Sequence, residues 1–97
     1  MVNSIRRTVV KVIDGDTVQV ARKIDGSNIV RLSGVNAPEK DQPGGTKATN
    51  ILRGMIGGQT VTIRPEAKDK YGRIVATVIH DRQNVNKKLK KKLQRLK

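Results

Sequence analysis

A chain of 97 residues with 21 Lys and Arg against 8 Asp and Glu carries a formal net charge of +13, which favours a polyanionic partner, nucleic acid first and an anionic membrane surface second. Apolar content is 35%, Tyr71 is the one aromatic and cysteine is absent, so the core is built from Val, Ile, Leu, Ala and Met, and both a disulfide framework and a thiolate metal site are excluded. No apolar run approaches the ~20 residues of a membrane-spanning helix. A length of 97 residues leads to the expectation of one domain over residues 1–97, monomeric and without a membrane partner; the N-terminal stretch lacks the apolar region of an export signal, and the compartment stays open.

Residues 8–13 read as a β-rich run, broken by the turn formers Asp14-Gly15-Asp16 before alternation resumes over 17–20, which is a hairpin pattern. A second turn at Asp25-Gly26-Ser27-Asn28 leads into 29–35, a third strand antiparallel to the second. Along it Val30 and Leu32 face a core and Arg31 points away from it. The twist of such a meander favours curling towards a barrel. The period then changes. Ala48, Ile51, Leu52, Met55 and Ile56 fall on one face of a helix, entered through Pro43-Gly44-Gly45 and closed by Gly57-Gly58, one of which takes the left-handed cap conformation. Val61 and Ile63 alternate with threonines as a fourth strand, and Ile74, Ala76 and Val78 mark a fifth. Residues 86–97 read as a basic helix, with Val85, Leu89, Leu93 and Leu96 on one face and seven Lys or Arg on the rest. It can dock on the barrel, lie on a membrane or touch phosphates. Three strands, a helix and two strands match the topology of the OB-fold, a mainly β architecture of the α+β class.

Three clusters carry candidate chemistry. Asp14-Gly15-Asp16-Thr17 places two carboxylates in a tight turn, a cheap site for a hard cation. Asn36-Ala37-Pro38-Glu39 sets a carboxylate on a loop stiffened by Pro38. Asp69-Lys70-Tyr71-Gly72-Arg73 flanks an aromatic with two cations. Singly, each reads as a solvated turn. Together they supply what phosphodiester hydrolysis asks for: a cation to polarise phosphoryl oxygens, a carboxylate to position or deprotonate water, and guanidiniums, here Arg31 and Arg73, that match the equatorial oxygens. His80, the only histidine, reads as a surface residue at a strand end.

In order and spacing, Val12-Ile13-Asp14-Gly15-Asp16-Thr17-Val18, then Val30-Arg31-Leu32-Ser33-Gly34-Val35-Asn36-Ala37-Pro38-Glu39, then Asp69-Lys70-Tyr71-Gly72-Arg73 resemble the signature stretches of the staphylococcal-nuclease-like, or thermonuclease, family. The likeness runs over about residues 6–93. It implies an OB-fold and a Ca2+-dependent endonuclease acting on DNA and RNA, single strands preferred, that leaves 3′-phosphates. Arg31, Glu39 and Arg73 would be catalytic, with Glu39 as base or water-orienting group and the arginines stabilising charge on phosphorus. Asp16, Asn36 and the backbone carbonyl of Ala37 would hold Ca2+, and Lys70 and Tyr71 would contact a terminal phosphate.

The chain departs from the family pattern in three places. Asn36 stands where a second metal carboxylate is expected, and losing one negative charge weakens such a site. The segment 40–46 is shorter than the family's mobile loop, and the sequence stops before the C-terminal helix of many members, which is expected to cost stability. A rival reading, a catalytically silent OB module that binds nucleic acid by charge, is favoured by Asn36 and the net charge. It is disfavoured by the retained Arg31, Glu39 and Arg73 and by the scarcity of aromatics for base stacking. A membrane-surface or scaffold protein led by the basic helix is the third reading.

Overall fold

Alternation of Val9 and Val12 in β1 (Ile5–Asp14), Val18 and Val20 in β2 (Thr17–Ile24), and Val30 and Leu32 in β3 (Ser27–Leu32) turns one face of a three-stranded meander into a core. The computed structural model describes residues 4–95. β1 pairs antiparallel with β2, and β2 with β3, with Val12 opposite Val18 and Val18 opposite Val30. β4 (Thr60–Lys68) pairs with β1 on one side and β5 (Ile74–His80) on the other, while β5 also lies parallel to β3, Val30 opposite Ile74 and Leu32 opposite Ala76. That last pairing closes the sheet into a five-stranded barrel of order β1-β2-β3-β5-β4, the OB-fold. Pro65 sits inside β4 at a register shift, where a missing N–H is tolerated.

Several strand ends differ from the sequence reading. β1 and β2 are longer, and β3 stops at Leu32 instead of 35, because Gly34 takes a φ of 75° and Val35 N–H turns back onto the Leu32 carbonyl. A two-residue strand, β6 (Gln83–Asn84), adds to the β5 edge and is too short to leave a periodic signal.

Helix α1 (Gly45–Ile56) buries Ala48, Leu52 and Ile56, with Ile51 and Met55 half-buried beside them, as its apolar face predicts. It begins at Gly45, so Gly45 and Thr46 belong to the helix and not to the preceding loop. Gly58, at φ 73°, is the left-handed residue of the glycine pair. Helix α2 (Val85–Gln94) is capped by Asn84, whose side chain accepts the Lys87 N–H at 3.0 Å. Leu89 is fully buried, which contributes about 1.5–3 kcal/mol. Leu96 and Lys97, the end of the expected helix, lie outside the described residues. His80 closes β5, half-buried. Among the described residues no helix is long and apolar enough to cross a membrane.

Candidate active site

The β1–β2 turn, the 33–44 loop and the 69–73 loop meet around one cavity of about 220 Å3, lined by Asp14, Asp16, Asn36, Ala37, Glu39 and the two arginines Arg31 and Arg73. Glycine permits this convergence. A Cβ on Gly15 would lie 2.6 Å from the Ala48 Cβ and 2.7 Å from the Ala37 Cβ, so only a bare Cα lets the acidic turn press against α1 and the 33–44 loop at once. The side chain of Ala37 therefore matters for packing, beyond the carbonyl that the resemblance assigns to it. A Cβ on Gly45 would strike the Glu39 carbonyl oxygen, so the start of α1 rests directly on the Glu39 turn. That turn is fixed by Glu39 N–H donating to Gln42 Oε1 at 3.1 Å and Gln42 N–H to the Glu39 carbonyl at 2.9 Å. The Glu39 side chain is exposed and has no hydrogen-bond partner among the described residues.

Asp16 is buried and held from three sides: Oδ1 accepts from Thr17 Oγ1 at 2.8 Å, and Oδ2 from Ala37 N–H at 3.1 Å and Arg31 Nη2 at 3.5 Å. The same Arg31 nitrogen donates to the Val35 carbonyl at 2.9 Å and to Asn36 Oδ1 at 2.8 Å. Arg31 thus ties together two of the oxygens expected to hold a cation. Asp14 was part of the acidic turn motif, but the resemblance carries over only Asp16. The Oδ1 atom of Asp14 is buried without a partner among the described residues. Burial, followed by the hydrogen bond and charge of Asp16, pushes the Asp14 carboxyl above the usual carboxylate value.

Arg73 is aimed by Asp69, an orienting role that the sequence did not signal. Asp69 Oδ2 accepts Arg73 Nε at 2.7 Å, and Oδ1 accepts the backbone N–H of Arg73 at 2.9 Å and of Tyr71 at 3.0 Å. Partial burial raises the Asp69 carboxyl, but these donors outweigh it and hold the group below its ordinary range. The two terminal nitrogens of Arg73 keep no protein acceptor among the described residues. Lys70 and Tyr71 lie outside the cavity. Tyr71 is 71% exposed, and its ring carries the Lys70 ammonium and the Arg73 guanidinium each 5.2 Å from its centroid.

Among the described residues no cluster of three or more His, Cys, Asp or Glu side chains is arranged to hold a metal ion. The donors here are two carboxylates, an amide and a backbone carbonyl, all hard oxygens, and the unpartnered buried oxygen of Asp14 is a group that a cation would satisfy. Oxygens of this kind suit a hard cation.

A family model described as staphylococcal nuclease homologue matches residues 29–92. The chain belongs to that family. It is 42% identical over 81 residues to an uncharacterized endonuclease of Escherichia coli, covering 80% of this chain and 51% of that protein. It is 38% identical over 78 residues to an uncharacterized endonuclease of Haemophilus influenzae, covering 80% and 44%, and 35% identical over 74 residues to a micrococcal nuclease of Shigella flexneri, covering 75% and 41%. The chain spans about half the length of these curated relatives.

Proposed function

We propose that this domain is a Ca2+-dependent endonuclease that hydrolyses phosphodiester bonds of DNA and RNA, leaving 3′-phosphates. The observation that carries the reading is the convergence of Asp14, Asp16, Asn36, Glu39, Arg31 and Arg73 on one small cavity in a chain whose relatives are named as nucleases. Glu39, exposed at the cavity rim on a rigid turn, orients and deprotonates a water that attacks phosphorus. The P–O5′ bond breaks, and the fragments carry a 3′-phosphate and a 5′-hydroxyl. Arg73 offers two unengaged terminal nitrogens to the equatorial oxygens as charge builds. Arg31 joins it on releasing Asn36 and Asp16. Asp14, Asp16, Asn36 and the Ala37 carbonyl would hold the Ca2+, and polarisation of the phosphoryl oxygens is the chemistry that ion supplies when bound. Lys70 and Tyr71, beside Arg73 and outside the cavity, receive a terminal phosphate of the substrate, and the domain acts as a monomer with single strands preferred.

A second reading, a silent nucleic-acid-binding module, is favoured by one observation: Arg31 already neutralises Asp16 and engages Asn36, so the site is partly self-satisfied. The test is end-group analysis. Heat-denatured DNA and RNA are incubated with the protein in millimolar Ca2+ or chelator, and new ends are labelled before and after phosphatase. Fragments that appear only with Ca2+ and whose 3′ ends need phosphatase support the nuclease. Stable binding with no new ends supports the module.

A further inference from the structure

Helix α2 carries a charge pattern that its own stability does not call for. Lys87, Lys88, Lys90, Lys91 and Lys92 stand within one ten-residue helix without an acid, and none of them enters an ion pair among the described residues. Lys87 and Lys88 occupy the first turn, where the macrodipole already places positive charge, and Lys87/Lys91 and Lys88/Lys92 repel across one turn. The helix is held from its other side. Val85 and Leu89 are buried, and Asn86 bonds to Val78, Ala76 and Ser33. Its lysines are therefore left to the solvent side.

With about 100° between successive residues, Lys87 and Lys91 point outward, and Lys90 flanks the side that faces the 33–44 loop. There Lys90, Leu93 and Gln94 form one wall of a groove of about 420 Å3, and Asn36 and Pro38 belong to the other. Asn36 also lines the 220 Å3 cavity, so groove and cavity lie on either side of this one residue.

We propose that the face of α2 carrying Lys87, Lys90 and Lys91 is a track for the phosphate backbone of the nucleic-acid strand whose scissile bond enters the cavity. The direction of the strand rests on the nuclease reading; the binding face does not. A nucleic acid fits better than a lipid surface because Val85 and Leu89 of α2 are buried and Leu93 is half-buried, which leaves little apolar surface to insert into a bilayer.

The test measures binding of a labelled single-stranded oligonucleotide by fluorescence anisotropy, metal chelated, from 50 to 200 mM salt. Native protein is compared with Lys87→Gln/Lys90→Gln/Lys91→Gln and with Arg6→Gln/Arg22→Gln/Lys23→Gln, which removes equal charge from the strands. At roughly 0.7 per phosphate contact on single strands, the α2 variant is expected to lose about two from the slope of log affinity against log salt. The strand variant is expected to lose clearly less. Amide shifts of residues 87–91 and 36–37 in native protein, titrated with the same oligonucleotide, keep the test valid if the variant fails to fold. Equal slope loss in both variants, unmoved amides at 87–91, or tighter binding of native protein to phosphatidylserine vesicles than to the oligonucleotide overturns the track. A slope loss confined to the α2 variant in a protein that never cleaves leaves the track standing and removes the nuclease reading.

Discussion

Replacing Asn86 with Ala is expected to destabilise the protein more than any other single polar change. Asn86 is 7% exposed, and its amide joins three elements: Oδ1 accepts the Val78 N–H at 2.9 Å, and Nδ2 donates to the Ser33 carbonyl at 2.9 Å and the Ala76 carbonyl at 3.0 Å. The Ala76 carbonyl keeps the Ser33 N–H at 2.8 Å, so it survives the change. The Val78 N–H and the Ser33 carbonyl are left without their partner. Each such group contributes a penalty of about 1–3 kcal/mol, giving a loss of roughly 3 kcal/mol. For a domain of this size that lowers the melting midpoint by roughly 12–24 °C, at 4–8 °C per kcal/mol. Urea unfolding followed by circular dichroism reads it. Asn86→Asp adds a sharper arm, because a carboxylate still accepts from Val78 but faces two carbonyls with no donor. It is expected to be worse than Ala at neutral pH and to recover partly as pH falls towards the ordinary carboxylate value, because burial beside two carbonyls raises its folded pKa and protonation restores an O–H. A loss under 1 kcal/mol in Asn86→Ala, or an Asp variant indifferent to pH, would refute the account of how α2 is tied to the 33–44 loop.

Asp14 predicts a pH signature. Its folded carboxyl titrates above the ordinary 3.8, so its contribution to stability is fully present below that value and is lost as pH rises through the higher folded value. Asn at this position is expected to raise the urea midpoint at neutral pH and flatten that decline, and millimolar Ca2+ is expected to narrow the gap by stabilising only native protein; equal midpoints at pH 7 without metal would count against it. Gly15→Ala forces a Cβ between Ala37 and Ala48, and overpacking of this kind costs about 1–3 kcal/mol in thermal or urea unfolding. Asp69→Asn keeps the turn but loosens its hold on the Arg73 guanidinium, so the cleavage rate is expected to fall with little change in the melting midpoint; an unchanged rate would mean that Asp69 does not position Arg73. Asn36→Asp restores a carboxylate, and Ca2+ affinity by calorimetry is expected to tighten roughly tenfold, equivalent to about 1.4 kcal/mol.

What the sequence made legible follows from how local the determinants are. The face carrying Ala48, Leu52 and Ile56 and the alternation of Val18, Val20, Val30 and Leu32 are short-range patterns, and they sufficed for the helix, the meander and the barrel topology. The three motif stretches named residues that the fold does gather: Asp16, Arg31, Asn36, Ala37, Glu39 and Arg73 share one cavity, while Lys70 and Tyr71 stay outside it. Illegible were interactions set by tertiary geometry. Nothing local says that Arg31 will bridge Asp16 and Asn36, or that an oxygen of Asp14 will be buried without a partner. Asn86 read as the start of a helix, and its three bonds to distant backbone groups appear only once β5 and the 33–44 loop are packed beneath it. The Asp69–Arg73 pair spans four residues, but its meaning depends on a glycine turn, Gly72 at φ 82°, that bends the loop back on itself.

The central claim is that Glu39 and the oxygens around Asn36 form a working hydrolytic site. Its most direct test is cleavage of heat-denatured DNA in millimolar Ca2+ by native protein, Glu39→Ala and Asn36→Asp side by side. The account predicts Ca2+-dependent cleavage by native protein, at least a hundredfold loss in Glu39→Ala, the lower end of what a positioned base contributes at about 10²–10⁴, and a gain in Asn36→Asp. Cleavage that persists in Glu39→Ala, or that is unaffected by chelator, would contradict it.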